Sequence, residues 1–127
     1  VADQPLSLEF ASLNEARALH KMLFEHKFDT PEGVFFGSPL IAAIQHRLLE
    51  LVIDADSADG RAAARPQWEQ WRQAEAHPHL LTVVCRHLTE NAATVAAWTP
   101  EQREAYVRTI LAPLIPSAAL LRELITA

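Results

Sequence analysis

A single cysteine, Cys85, occurs in the 127 residues, so no internal disulfide can form and no framework of bridges holds the fold. It lies in an apolar stretch with Leu80, Leu81, Val83 and Val84, where a small buried hydrophobe is the plain expectation. Three glycines (Gly33, Gly37 and Gly60) are too few and too scattered for a phosphate-cradling loop or a dinucleotide fingerprint, both of which need clustered glycines before a helix. There is no G-x-S-x-G turn for a serine nucleophile. Lysine is scarce, two residues against nine arginines, and no basic run exists. The formal net charge of −5 removes the bulk attraction on which nonspecific nucleic-acid or anionic-membrane binding depends, so neither partner is expected. The longest uncharged, strongly hydrophobic run, residues 109–121, is shorter than the about 20 residues of a membrane helix. Pro113 and Pro116 also interrupt it. No basic-then-apolar leader opens the sequence, and cytoplasmic residence is the expectation.

What is present is a strong apolar complement, 50% hydrophobic against 21% charged residues. That balance belongs to a globular chain, and at this length roughly two-thirds of the unfolded surface is buried on folding. The apolar residues recur mostly at helical spacing. Ser12 and Glu15 make an S-x-x-E capping box. Beyond it Leu13, Ala16, Leu19, His20, Leu23 and Phe24 share one face of a helix expected to end near Phe28, before the turn-rich Asp29-Thr30-Pro31-Glu32-Gly33. Ser38 and Pro39 open a second helix. Its apolar residues, from Leu40 and Ile41 to Val52 and Ile53, cover most of the circumference, which predicts a central helix touched on several sides. Residues 54–65, acidic and small, are the expected flexible loop. Pro66 starts a short helix carrying Trp68 and Trp71, and His77-Pro78 interrupts it. From Pro78 a stripe of Leu81, Val84, Cys85, Leu88, Ala92 and Val95 predicts a helix to about Trp98. Thr99 with Gln102 caps the next, Pro113 breaks it, and residues 117–125 form the last.

The expected fold is therefore mainly α, one domain over residues 1–127, a bundle of five or six helices. One small two-stranded β element is a candidate addition, from residues 6–10, whose apolar residues alternate, and residues 34–36. An extended N-terminal arm is the alternative.

The sites are less plainly written. His46, Glu50 and Asp54 fall at i, i+4 and i+8 on one helical row and form a candidate divalent-metal set; the simpler reading is the solvated side of an apolar helix. His77 and His79 flank Pro78 at a helix start and are candidates for an anion or other ligand, against a reading as surface and capping groups. Cys85 and His87 are two residues apart, so on a helix they point about 200° away from each other, which opposes joint ligation. Arg72-Gln-Ala-Glu-Ala-His77 has an R-x4-H spacing that resembles the motif of HEPN-type helical nucleases, but nine arginines and six histidines supply such a spacing by chance, so it names no family. Phe24, Phe35, Phe36 and Trp98 are candidate lining for a small-ligand pocket between helices. Trp68 and Trp71, at i and i+3 on a helix otherwise polar, either dock onto the core or, with Arg72, present a surface to a partner. Catalytic constellations are missing and no cofactor is expected. The leading expectation is a non-catalytic helical module that binds another protein or itself. Its rival is an enzyme or small-ligand sensor using histidines and carboxylates.

Overall fold

The capping and periodicity signals become seven α-helices in the structure, a computed structural model that describes residues 4–58 and 61–126. They are α1 (Leu13–Asp29), α2 (Pro39–Ala58), α3 (Ala64–Trp71), α4 (Pro78–Glu90), α5 (Ala92–Ala96), α6 (Pro100–Leu111) and α7 (Ala118–Thr126), with a 3-10 turn at Ala74–Ala76 between α3 and α4. Among the described residues no helix is long and apolar enough to cross a membrane. Ser12 Oγ accepts from the Glu15 amide at the start of α1. At α6 the box is reciprocal: Thr99 Oγ1 accepts from the Gln102 amide at 3.1 Å, and the Thr99 amide donates to Gln102 Oε1 at 2.9 Å.

Three expectations are corrected. The two-stranded piece does not form: residues 6–10 lie as an irregular, largely exposed arm and residues 34–36 sit in a run of turns. The one ladder contact among the described residues is an isolated parallel bridge, Gln73 to Ile115. Among the described residues of the expected loop over 54–65, most are helical, since α2 persists to Ala58 and α3 begins at Ala64, while residues 59–60 lie outside the described ones. The acidic residues read as loop-forming are held by cations instead: Asp54 pairs with Arg65, and Asp56 with Arg17 and Arg61. The expected helix over 78–98 is interrupted at Asn91, whose side-chain amide donates to the His87 carbonyl at 2.8 Å. The break at Asn91 gives seven α-helices among the described residues in place of five or six.

The main core gathers Phe28, Phe36, Val84, Leu88, Val107, Ile110, Leu111, Leu114, Leu121 and Leu124 from α1, the 31–38 connection, α4, α6, the link after α6, and α7. A smaller cluster of Ala16, Leu48 and Val52 lies between α1 and α2, with Leu13, Leu19, Leu23 and Trp68 packed on it. Aromatic rings form a line through the molecule: Trp98, Tyr106, His87, Phe36, Phe28, Phe24, Trp71 and Trp68, with successive centroids 4.8–6.1 Å apart. Most neighbours meet tilted or edge to face, the geometry that aligns a ring's positive edge with its neighbour's negative face. Phe24, Phe36 and Trp98 thus belong to one packed line and not to the wall of a common pocket, while Phe35 is exposed beside His26.

Two connections are tied together. The Ile115 amide donates to the Arg72 carbonyl at 2.8 Å, and the Ala74 amide to the Ile115 carbonyl at 3.0 Å. The link after α3 is thereby clamped to the link between α6 and α7, which contains the cis peptide Ala112–Pro113.

Candidate functional site

Helix α2 carries polar side chains on the face that meets α1, α3 and the end of α6. Gln45 is buried there, and His46 and Glu50 follow it on the adjoining row. Across from them α1 inserts Lys27, only 1% exposed. Its ammonium donates to Gln45 Oε1 at 3.1 Å, to the Thr109 carbonyl at 2.7 Å and to the Ala112 carbonyl at 2.8 Å. Those two carbonyls stand at the C-terminal end of α6, where helix geometry leaves acceptors without amide partners and places partial negative charge. Among the described residues no carboxylate accompanies the ammonium, and burial lowers the Lys27 pKa from 10.5 to about 7. The Gln45 side-chain nitrogen has no partner among the described residues.

Arg72, also buried, occupies the other half of this polar seam. Its guanidinium pairs with Glu50, donates to His46 Nδ1 at 3.2 Å and donates through Nε to the Pro113 carbonyl at 3.3 Å. A guanidinium only donates, so His46 Nδ1 is unprotonated. Burial first, then the charges of Arg72 and Lys27, hold the His46 pKa below its ordinary value against the opposing pull of Glu50. The candidate metal row is thus divided between two arginines: Arg72 engages His46 and Glu50, while Arg65 engages Asp54. Among the described residues no three His, Cys, Asp or Glu side chains come together to hold an ion.

Arg72 and His77 face different partners. The His77 Nε2 proton goes to the Trp71 carbonyl at 2.6 Å, and its ring packs on Trp71 and Phe24. His79 is exposed in the first turn of α4. Cys85 is exposed, not buried as its neighbours in sequence suggested. Val84 and Leu88 take the core-facing positions, and Cys85 lies beside them at the margin.

Trp68 and Trp71 dock onto α1. The Trp68 indole N–H donates to Asp56 Oδ2 at 2.9 Å, and His20 meets both indoles edge-on at 5.9 and 5.4 Å. Their outer surfaces, with Phe24, His20, Arg17 and Lys21, line an open groove of about 570 Å³ between α1 and α3. Asp56, at its base, is held below the ordinary carboxylate range, most by the Trp68 hydrogen bond and then by Arg17 and Arg61, against the opposing effect of burial.

A second surface went unread in the sequence. Leu40, Ile44 and Leu51 on α2 are 76, 45 and 47% exposed. They stand at i, i+4 and i+11, on one side of the helix. The arm lies beside them: Leu8 and Phe10 line a shallow apolar furrow with Leu19, Ile44, Leu48 and Leu51. The wide apolar circumference of α2 is therefore covered by α1, α3 and α6 on one side and open on the other.

Lys27, Gln45 and Asp56 were also missed, although a signal exists. Lys27 follows Ala16, His20 and Phe24 on the core-facing register of α1. Gln45 and Asp56 follow Ala42, Leu49 and Val52 on that of α2. A polar residue in apolar register is the mark of a buried network. Comparison of the chain with family models, with curated proteins and with solved structures finds no match.

Proposed function

We propose that this chain is a non-catalytic helical interaction module that pairs with a second copy of itself through the outer face of α2. The observation that carries the reading is the open apolar stripe Leu40, Ile44 and Leu51, continued by Leu8 on the arm. A contiguous apolar patch on a folded domain marks an interaction surface, whereas singly scattered apolar residues do not.

The spacing favours a copy of the same helix. The steps of four, three and four through Leu40, Ile44, Arg47 and Leu51 are those of a helix–helix seam. A two-fold axis puts the same patch on both sides. Ala43 and Ala55, both exposed, leave room for close approach. The stripe's two exposed charges, Arg47 and Asp54, have opposite signs, so antiparallel pairing centred between positions 50 and 51 sets Arg47 opposite the partner's Asp54, beside the Arg65 that holds Asp54 within its own chain. The polar seam supports a non-catalytic reading. Lys27, His46, Glu50 and Arg72 spend their hydrogen bonds on one another and on backbone carbonyls, as a structural network does.

Sedimentation velocity and light scattering over a concentration series test this. A concentration-dependent dimer is expected, and Ile44→Glu or Leu51→Glu is expected to return it to monomer with little change in thermal midpoint, since both side chains are near half exposed. A protein that stays monomeric at the highest concentration it tolerates overturns the proposal.

A further inference from the structure

Basic side chains from three parts of the fold converge on one short stretch of chain. Lys27 of α1 donates to the Thr109 and Ala112 carbonyls, and Arg72, just after α3, donates through Nε to the Pro113 carbonyl. His46 of α2 accepts from the Arg72 guanidinium through Nδ1 at 3.2 Å. Arg72 serves the clamp between the two links twice. Its side chain holds Pro113, and its own carbonyl accepts from the Ile115 amide at 2.8 Å. A change at His46 is therefore one contact away from the clamp.

Negative charge is scarce around the ring. The charged groups that face His46 are Arg72 from the end of α3, Lys27 from α1, and Glu50 one turn on along α2. Helix α6 brings the Thr109 carbonyl to the seam. Among the described residues Glu50 is the one carboxylate of this set. Its side chain is 47% exposed and is shared between Arg72 and Arg65. Arg72, by contrast, is buried, so it does not reach water while the seam is closed.

Protonation of His46 has a definite consequence in this geometry. A guanidinium has no lone pair to accept a proton from the ring. An added Nδ1 proton would replace the hydrogen bond by two N–H groups facing each other. It would also set a further positive charge beside Lys27 and Arg72, with Glu50 alone to offset them. Opening the seam relieves both by returning the ring to water. We infer that the seam is an acid-sensitive latch: proton uptake at His46 releases Arg72 and loosens the clamp between the link after α3 and the link after α6, while the helices around the main core stay folded. Histidine suits such a switch because its charge changes within a unit or two of neutral pH. Burial first, then the charges of Arg72 and Lys27, disfavour the charged ring in the closed seam, against the pull of Glu50. The closed form therefore prevails at neutral pH, and acid drives the opening. The latch uses no residue of the open stripe, so it stands or falls independently of the proposed dimer.

Amide hydrogen exchange of the whole chain, followed residue by residue by NMR at about pH 7 and about pH 5, tests the latch. After correction for the intrinsic pH dependence of exchange, the Ile115 and Ala74 amides are expected to lose about tenfold of their protection at the lower pH. The Leu88 and Val107 amides are expected to lose clearly less. His46→Gln keeps an acceptor oxygen for Arg72 without a titrating group, and is expected to abolish the loss at Ile115 and Ala74. The His46 ring nitrogens of the unaltered chain are expected to titrate below 6.5. Protection at Ile115 and Ala74 that is the same at both pH values overturns the latch. An equal loss at Leu88 and Val107 is global acid unfolding and overturns it too, as does an undiminished loss in His46→Gln. A His46 ring that titrates at or above 6.5 in the native chain sinks the idea without any variant, because the closed seam would then not oppose its proton.

Discussion

Lys27 is the residue whose environment departs furthest from what its side chain prefers. An ammonium on the core face of α1 has lost its water and gained three acceptors, none of them charged. With its pKa at about 7 in the folded chain against 10.5 in the unfolded one, the unfolded state binds more protons between those limits. Stability is therefore expected to rise with pH from about 7 toward 9, with a slope of at most about 1.4 kcal/mol per unit. On the acid side of 6.5, stability is expected to fall, because burial first of all lowers the pKa values of His20, His46 and His87, so the unfolded chain takes up protons that the folded one refuses. Denaturant unfolding across a pH series measures both limbs. Lys27→Met should abolish the alkaline rise and cost about 1–3 kcal/mol at pH 9, by leaving the Ala112 carbonyl and Gln45 Oε1 unpaired. Gln45→Glu should flatten the rise by giving the ammonium a counter-charge. An undiminished rise in Lys27→Met would assign it to another group.

At the scale of elements, termination matters as much as formation. The capping box at Thr99 and Gln102 closes the N-terminal end of α6, and the Lys27 ammonium closes the C-terminal end. The same helix is thus held at one end by a contact three residues long and at the other by a contact across the bundle. Thr99→Ala is expected to destabilise the protein by about 1 kcal/mol in denaturant melts. Gln102→Ala should add less than its separate effect when combined with it, because the two side chains act as a unit. Full additivity would show that the reciprocal bonds are not coupled. Helices α4 and α5 show the opposite case. Their apolar spacing runs on without a break, and the interruption comes from Asn91, whose amide reaches the His87 carbonyl and ends the first helix. Asparagine tolerates that geometry readily, but nothing in the apolar period announces it.

For the whole molecule, the aromatic line from Trp98 to Trp68 joins α6, α4, the 31–38 connection, α1 and α3 into one packed body. Phe36 lies near its middle, 1% exposed and in contact with Phe28 and His87. Phe36→Ala is expected to cost about 3–5 kcal/mol by opening a cavity there. Under native conditions it should leave any association through α2 unaltered, since Phe36 is sealed in the main core and forms no part of the open stripe. A loss of stability below about 1 kcal/mol would mean that the neighbouring rings collapse into the space.

Helix class, most helix starts and the breaks at His77-Pro78 and Pro113 were readable from local order, because capping, proline geometry and a 3.6-residue period act within a turn or two of chain. What local order could not reveal was which side of each helix finds a neighbour. The apolar residues of α2 look equivalent along the chain, yet Leu49 and Val52 are sealed while Leu40 and Ile44 are open. Asp54 and Asp56 look like loop residues until Arg65, Arg17 and Arg61 are brought to them. Trp68 and Trp71 are conspicuous as letters, but their role as groove wall depends on α1 lying beneath them. Lys27 became a buried ammonium only when the end of α6 arrived beside α1. Burial and pairing are sums over residues far apart in sequence, and connections of a few residues decide which faces meet; periodicity says only that each helix has a face to hide.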